Sequence, residues 1–147
     1  MTHAEDIGRL IIAANALTRM AALTADTETP AAQWRTLKLL RDHGALRVGE
    51  LATISRVSQP GMTRLIGQMH AAGLVERSAD AADSRAIVVS ATASGERALD
   101  DWLAQLQDAL LPFFADLDEA DWEAVQRTAD LLARKTTVGS VGTAVAR

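Results

Sequence analysis

The segment Ser58-Gln59-Pro60-Gly61-Met62-Thr63-Arg64-Leu65-Ile66, followed by Ala72-Gly73-Leu74-Val75-Glu76-Arg77, leaves this chain few ways to fold. Serine is a preferred helix N-cap because its hydroxyl accepts an orphan backbone N–H, and Pro60 falls in the first turn, where a missing N–H costs nothing. Met62, Ile66 and Met69, with Leu65 beside them, form an inward face; Gln59, Gly61, Thr63, Arg64 and Gln68 read as the outward one. Gly73 closes the helix. Two strands are expected next, Leu74 to Ser78 and Ala86 to Ser90, joined by the polar tip Ala79 to Arg85. Ile87-Val88-Val89 is the strongest β-forming run in the chain. A short helix with donors, acceptors and an arginine near its N-terminus, backed by a hairpin, is what reading a major groove requires. The pattern predicts a winged helix-turn-helix whose partner is double-stranded DNA.

The rest of the chain reads as helices. Ile7, Leu10, Ile11, Ala14, Leu17 and Ala21 recur at helical spacing, predicting an amphipathic helix over residues 4–24. A polar loop from Thr24 to Thr29 follows, with Thr29 as the cap of a second helix and Pro30 at its first position. That helix turns Trp34, Leu37 and Leu40 inward and stops at Gly44. Ala45-Leu46-Arg47 reads as a short extended piece, and Gly49 to Ser55 as a third helix without a side-chain cap. Thr92 opens a long helix with Leu99, Trp102, Leu103 and Leu106 on one face, broken near Pro112. Asp118 caps a last helix whose Trp122, Val125, Ala129 and Leu132 form a coiled-coil-like seam, with Leu117 placed to staple onto Trp122. Beyond Lys135 the chain is weakly specified.

The net charge of −4 argues against a polyanionic partner until its distribution is examined. Residues 35–90 hold eight Lys/Arg against five Asp/Glu, whereas residues 1–34 hold two against four and residues 91–147 five against ten. A basic middle on an acidic body still steers DNA. The chain has no cysteine, which removes disulfides and thiol redox switching and fits a reducing cytoplasm. No apolar run approaches the roughly 20 residues of a membrane span. His3, His43 and His70 stand far apart without ligand spacing, so no metal or cofactor is expected. The acids of residues 116–123 suit a helix start better than a catalytic set, and no nucleophile motif or phosphate loop is present, so no enzyme is expected.

The order of parts resembles the multiple-antibiotic-resistance regulator (MarR) family. The resemblance rests on Gln33-Trp34-x-x-Leu37, Glu50-Leu51-Ala52, Val57-Ser58-Gln59-Pro60-x-x-Thr63-Arg64-Leu65, Gly73-Leu74-Val75-Glu76-Arg77 and Asp80-x-x-Asp83-x-Arg85. It implies a mainly α fold with a small β-wing, a winged helix-turn-helix flanked by N- and C-terminal dimerisation helices. Residues 4–30 and 112–135 would then serve dimerisation, residues 31–91 the DNA-binding lobe, residues 92–111 a connecting helix and residues 136–147 a tail, all in one domain. It also implies a homodimer on a pseudo-palindromic operator, usually a repressor, often released by a small aromatic or lipophilic effector. Departures are visible: Arg47 stands where a capping Ser or Thr is frequent, Arg56 stands in a turn that often holds Gly, and Gly61 replaces a frequent Ser or Thr.

The expected DNA contacts are Ser58, Gln59, Pro60, Gly61, Thr63, Arg64 and Gln68 of the reading helix, with Arg56, Arg77 and the wing-tip Arg85 beside them. The resemblance implies that Asp83 orients Arg85 by a salt bridge. Arg47 and Lys38 are expected as phosphate neighbours or solvated charges. Trp34, Leu37 and Trp102 are chiefly core but also line the expected effector pocket. The seams of residues 7–21 and 122–132 are too long for one small domain to bury, so Ile7, Leu10, Ile11, Leu17, Trp122, Val125, Ala129 and Leu132 are expected to meet a second chain. The competing reading is a winged-helix module that docks protein and never meets DNA, which the acidic balance permits.

Overall fold

Every apolar position on the inward face of the 58–71 segment enters one core, and the fold is best followed outward from it. The computed structural model describes residues 1–25 and 30–136. Met62, Ile66 and Met69 of α4 (Gln59–Ala71) meet Leu37 and Leu40 of α2 (Ala31–His43) and Leu51 of α3 (Val48–Ser55). Leu46 of β1 (Leu46–Arg47), Val75 of β2 (Val75–Ala79), Val89 of β3 (Ile87–Ala91) and Leu99 of α5 (Ala93–Leu110) complete it. The strands form one antiparallel sheet in the order β1-β3-β2, with Val75 opposite Ala91, Arg77 opposite Val89 and Leu46 also opposite Val89.

Both wing strands begin one residue later than the sequence predicts. Leu74 donates its N–H to the Met69 carbonyl at 2.9 Å, beside a Gly73 with φ of +74°, so the helix exit holds Leu74 and the ladder starts at Val75. Helix α2 also starts one residue late. Pro30 is extended (φ −60°, ψ 136°) and takes the cap position, not the first helical one, while its expected cap Thr29 lies outside the described residues, as does the expected tail beyond Thr136.

The long helix α5 is locked to the lobe at its first turn. Thr92 accepts the Gly95 N–H (3.0 Å), donates its hydroxyl to the Gly73 carbonyl (2.6 Å) and its N–H to the Leu74 carbonyl (3.1 Å). A Cβ on Gly95 would lie 2.1 Å from the Leu74 oxygen, so only glycine lets the helix cross there. Arg41 of α2 adds a second tie, its Nε reaching Glu96 at 2.7 Å and its Nη2 reaching Asp100 at 2.8 Å.

Two helices hold their apolar faces away from this core. Helix α1 (His3–Thr24) packs on α5 yet buries only Ala21, and it opens on a capping box between Thr2 and Glu5 that the sequence reading missed. That backbone hydrogen bond from Thr2 holds the Glu5 carboxyl below the usual glutamate range. After a 3-10 turn (Leu111–Phe114), α6 (Glu119–Lys135) starts at Asp118, whose carboxylate accepts the Asp121 N–H at 2.9 Å, as expected. Helix α6 has no buried residue, and no described helix is long and apolar enough to cross a membrane.

Candidate nucleic-acid interface

Among the described residues, the outer polar side chains of the reading helix form no ion pair. The Ser58 hydroxyl accepts the Gly61 N–H at 3.2 Å, so it caps α4 as expected. Pro60, Arg64 and Gln68 follow at four-residue steps with Gln59 and Thr63 in the next row, and all five are exposed. The Gln59 amide leans back over Gly49 at the start of α3, with its oxygen 3.9 Å from where a Cβ would stand. Gly61 departs from the expectation. It is half-buried, faces the Ser58 hydroxyl and lines a cleft toward α2, because a step of one residue from Pro60 rotates it off the outward row.

The turn before α4 is built from Arg56 in the left-handed region (φ 56°, ψ 41°), the position where glycine is frequent. Holding a side chain there costs roughly 1 kcal/mol, offset by the cap that its N–H forms with the Thr53 carbonyl at 3.2 Å. Arg56, Arg64, Arg77 and Arg85 are exposed, and among the described residues none forms an ion pair. Arg77 on β2 lies over α4 at Gly67, its Nη2 3.8 Å from where a Cβ would stand. Such unneutralised arginines around one exposed helix are the electrostatic footprint of phosphate binding.

At the wing tip, Asp83 acts on Arg85 through the main chain. Its carboxylate accepts the Arg85 N–H at 3.0 Å and its carbonyl accepts the Ala86 N–H at 3.0 Å, which replaces the expected side-chain salt bridge by a turn that shapes the backbone under the arginine. Arg47 and Lys38, by contrast, each have an acidic partner at the surface. Lys38 pairs with Asp42 one turn on, and Arg47 pairs with Asp80 at the wing base at 2.6 Å. The Asp80 hydrogen bond raises the Arg47 guanidinium above its ordinary value, while the Ala82 N–H and then Arg47 hold the Asp80 carboxyl down. Glu50 accepts the Arg47 N–H at 3.0 Å, which serves the start of α3 where Arg47 has no oxygen to offer.

Two clefts meet at Trp34. Its ring stacks on Trp102 with centroids 4.2 Å apart and planes 17° from parallel, and Arg35 lies 5.7 Å over its centroid. On one side is a cavity of about 380 Å³ between α1, α2 and α5, lined by Leu17, Ala21, Trp34, Arg35, Trp102 and Leu106. On the other is one of about 590 Å³ between α2 and the helix-turn-helix, lined by Trp34, Arg35, Leu39, Val57, Met62 and Leu65. Leu37 lines neither of these two. It is 2 % exposed in the core, its Cδ2 facing Gly95, because it lies nearly one turn further along the same face of α2 than Trp34, where α5 and the lobe core close over it. No group of His, Cys, Asp or Glu that could hold a metal occurs among the described residues.

The seam residues lie open. Ile7 is 60 % exposed, Ile11 58 %, Val125 44 % and Leu132 40 %; Leu10, Leu17, Trp122 and Ala129 are exposed with them. Phe114 approaches Trp122 with centroids 6.3 Å apart.

Comparison with known proteins agrees with this geometry. The family model described as MarR family matches residues 30–87, from the start of α2 into β3. A regulator of Mycobacterium bovis, described as an uncharacterized HTH-type transcriptional regulator, is 32 % identical over 107 residues, covering 68 % of this chain and 70 % of its own. The HTH-type transcriptional repressor NicR of Pseudomonas putida is 32 % identical over 94 residues, covering 64 % of this chain and 54 % of its own. Among solved structures, a MarR family protein of Bacillus stearothermophilus aligns at a TM-score of 0.67 with 21 % identity, covering 92 % of this chain and 98 % of that one. BpsR of Bordetella bronchiseptica, whose DNA binding is regulated by 6-hydroxynicotinic acid, aligns at 0.56 with 23 % identity, over 90 % and 96 %. At these identities the structural likeness establishes the fold.

Proposed function

This chain belongs to the MarR family of DNA-binding transcriptional regulators, and we propose that it acts as a homodimeric, ligand-responsive repressor on a pseudo-palindromic operator. The observation that carries the reading is the exposed row Gln59, Pro60, Thr63, Arg64 and Gln68, flanked by Arg56, Arg77 and Arg85, which form no ion pair among the described residues. In this reading Arg64 forks onto a guanine edge, a contact of about 1–3 kcal/mol in discrimination. Gln59, Thr63 and Gln68 contact bases or phosphates, Pro60 touches a thymine methyl, and Ser58 and Gly61 keep the helix start intact and close to the DNA. Arg56 and Arg77 neutralise phosphates, and Arg85 enters the minor groove.

Residues 31–91 form the DNA-binding lobe, residues 92–111 the connecting helix, and residues 4–30 and 112–135 the dimerisation helices. The exposed apolar faces of α1 and α6 support that division, since faces of this kind on a stable protein mark an interface. Two lobes then meet half-sites about one helical turn, ~10 base pairs, apart. The stacked Trp34–Trp102 wall and the cationic Arg35 favour a small aromatic or lipophilic acid as effector in the cavity between α1, α2 and α5. In this reading the protein is a cytoplasmic regulator and not an enzyme.

The test is selection of bound sequences from a random duplex pool at controlled salt, followed by sedimentation of protein with the selected site. A symmetric consensus bound by a dimer supports the reading. Absence of any duplex binding, with a flat response to salt, would favour the protein-docking module.

A further inference from the structure

On the DNA-facing side of the lobe one arginine differs from the others. Among the described residues Arg56, Arg64, Arg77 and Arg85 form no ion pair, whereas Arg47 commits its guanidinium to Asp80. Nε and Nη2 of Arg47 both donate to Asp80 Oδ2, at 2.9 and 2.6 Å. Asp80 is itself woven into the base of the wing: its Oδ1 accepts the Ala82 N–H at 3.0 Å, and its own N–H donates to the Ala86 carbonyl at 2.9 Å. Its side chain is only 19 % exposed.

The other end of the tie is equally fixed. Arg47 pairs with Val88 in the sheet, immediately precedes α3, and has its N–H held by Glu50. Without this ion pair, β1 is joined to the wing only by the pairs Leu46–Val89 and Arg47–Val88. The tip, with Asp83 and Arg85, projects beyond that short ladder. A two-residue strand gives a hairpin little resistance to rocking about it. The Arg47 guanidinium, which cannot cap α3 and is engaged by Asp80, makes a strut between the reading module and the wing.

We propose that Arg47 and Asp80 set the angle of the wing relative to α4, so that Arg47 is a positioning residue for the Arg85 contact and not a DNA contact itself. The inference rests on the wing contact described under the proposed function. It also explains why a chain whose lobe is basic keeps an acid at the base of its wing.

Asp80→Asn separates the alternatives by sign. It keeps an oxygen for the Ala82 N–H and removes the ion pair, freeing one positive charge. If the pair were only two surface charges, the variant would bind duplex more tightly, with a steeper dependence on salt. With a strut, operator binding weakens about tenfold and the salt slope falls by about one unit. Arg85→Ala, which lowers the slope by about one unit in the otherwise unchanged chain, then adds little in the Asp80→Asn background. Tighter binding, or an undiminished Arg85→Ala effect, would overturn the proposal.

A second measurement needs no DNA. Because the chain has no cysteine, nitroxide labels can be placed at Ser84→Cys in the wing and Thr53→Cys in α3 without background. Their distance distribution should broaden on adding Asp80→Asn, and an unchanged distribution refutes the strut. Were the unaltered protein to bind no duplex at any salt, the DNA reading would fall, and the label distances would still decide the strut.

Discussion

Adding one methyl group to two glycines should move stability in opposite directions. A Cβ at Gly95 would stand 2.1 Å from the Leu74 carbonyl oxygen, and the backbone on neither side is a flexible side-chain tip that can swing away. Ordinary contact begins at 3.4 Å, so the new carbon is at least 1.3 Å too close and the first turn of α5 has to lift. Lifting it strains the two bonds from Thr92, at 3.1 and 2.6 Å, that latch α5 to Leu74 and Gly73. Overpacking costs about 2 kcal/mol, two weakened hydrogen bonds about 1 each, and the better helix propensity of alanine returns about 1. Gly95→Ala should therefore lose about 3 kcal/mol. Gly67 sits inside α4, where the nearest atom to a new Cβ is Arg77 Nη2 at 3.8 Å, so Gly67→Ala keeps its propensity gain of roughly 0.5–1 kcal/mol. Urea unfolding followed by tryptophan fluorescence measures both, the stacked Trp34 and Trp102 reporting on the α2–α5 junction. A loss below ~1 kcal/mol in Gly95→Ala would mean that the α5–Leu74 crossing is loose and the argument from close approach is wrong.

Arg64→Ala should lose sequence preference while melting like the parent, because Arg64 is exposed and forms no ion pair among the described residues; a variant selecting the same consensus from a random pool would remove Arg64 as a reader. Gln59→Ala should act the same way, less severely. Leu132→Asp should convert dimer to monomer in sedimentation and abolish operator binding with it, and a parent protein that sediments as a monomer at micromolar concentration would end the dimer reading. Acid should loosen the wing: the Asp80 carboxyl is held down in the fold, so its contribution is complete above the ordinary aspartate range and is lost only as pH falls through the lowered value. Wing label distances unchanged between neutral pH and that acid limit, then broadening, would match this; a change near neutral pH would implicate another group.

Much of the lobe was legible because its signals are local. Ser58, Pro60 and Gly73 mark both ends of α4 within its own stretch of sequence, and Thr92 and Asp118 do the same for α5 and α6. The strand starts were off by one residue because the Leu74 N–H is claimed by Met69, a choice made by helix-exit geometry and not by strand propensity. What stayed hidden are relations between distant residues. Arg47 and Asp80 are 33 positions apart, so the sequence shows two ordinary charges and the fold shows a strut. Gly95 looks like a weak point in a helix until the Leu74 carbonyl is seen against it. Leu37 shares a motif and a helix face with Trp34, yet nearly one turn along the axis puts it in the core and leaves Trp34 between the clefts.

That position gives the proposed effector a physical route to the DNA. A ligand between α1, α2 and α5 touches Trp34 and Arg35, and these two residues also wall the second cleft, whose far side is Val57 of the turn and Met62 and Leu65 of α4. Displacing Trp34 from Trp102 would push α2 against the inner face of the reading helix, while the Arg41 ties to Glu96 and Asp100 keep the far end of α2 fixed to α5. Helix α2 would pivot rather than slide, moving its lobe relative to the dimer helices. A ligand changes operator affinity only to the extent that it binds the pivoted arrangement better than the DNA-competent one. An aromatic acid that quenches the tryptophans should therefore also loosen the operator, and filling the cavity with Leu106→Trp should block both effects together. Compounds that quench strongly and leave operator affinity unchanged would mean that the Trp34 wall yields without carrying α2 with it.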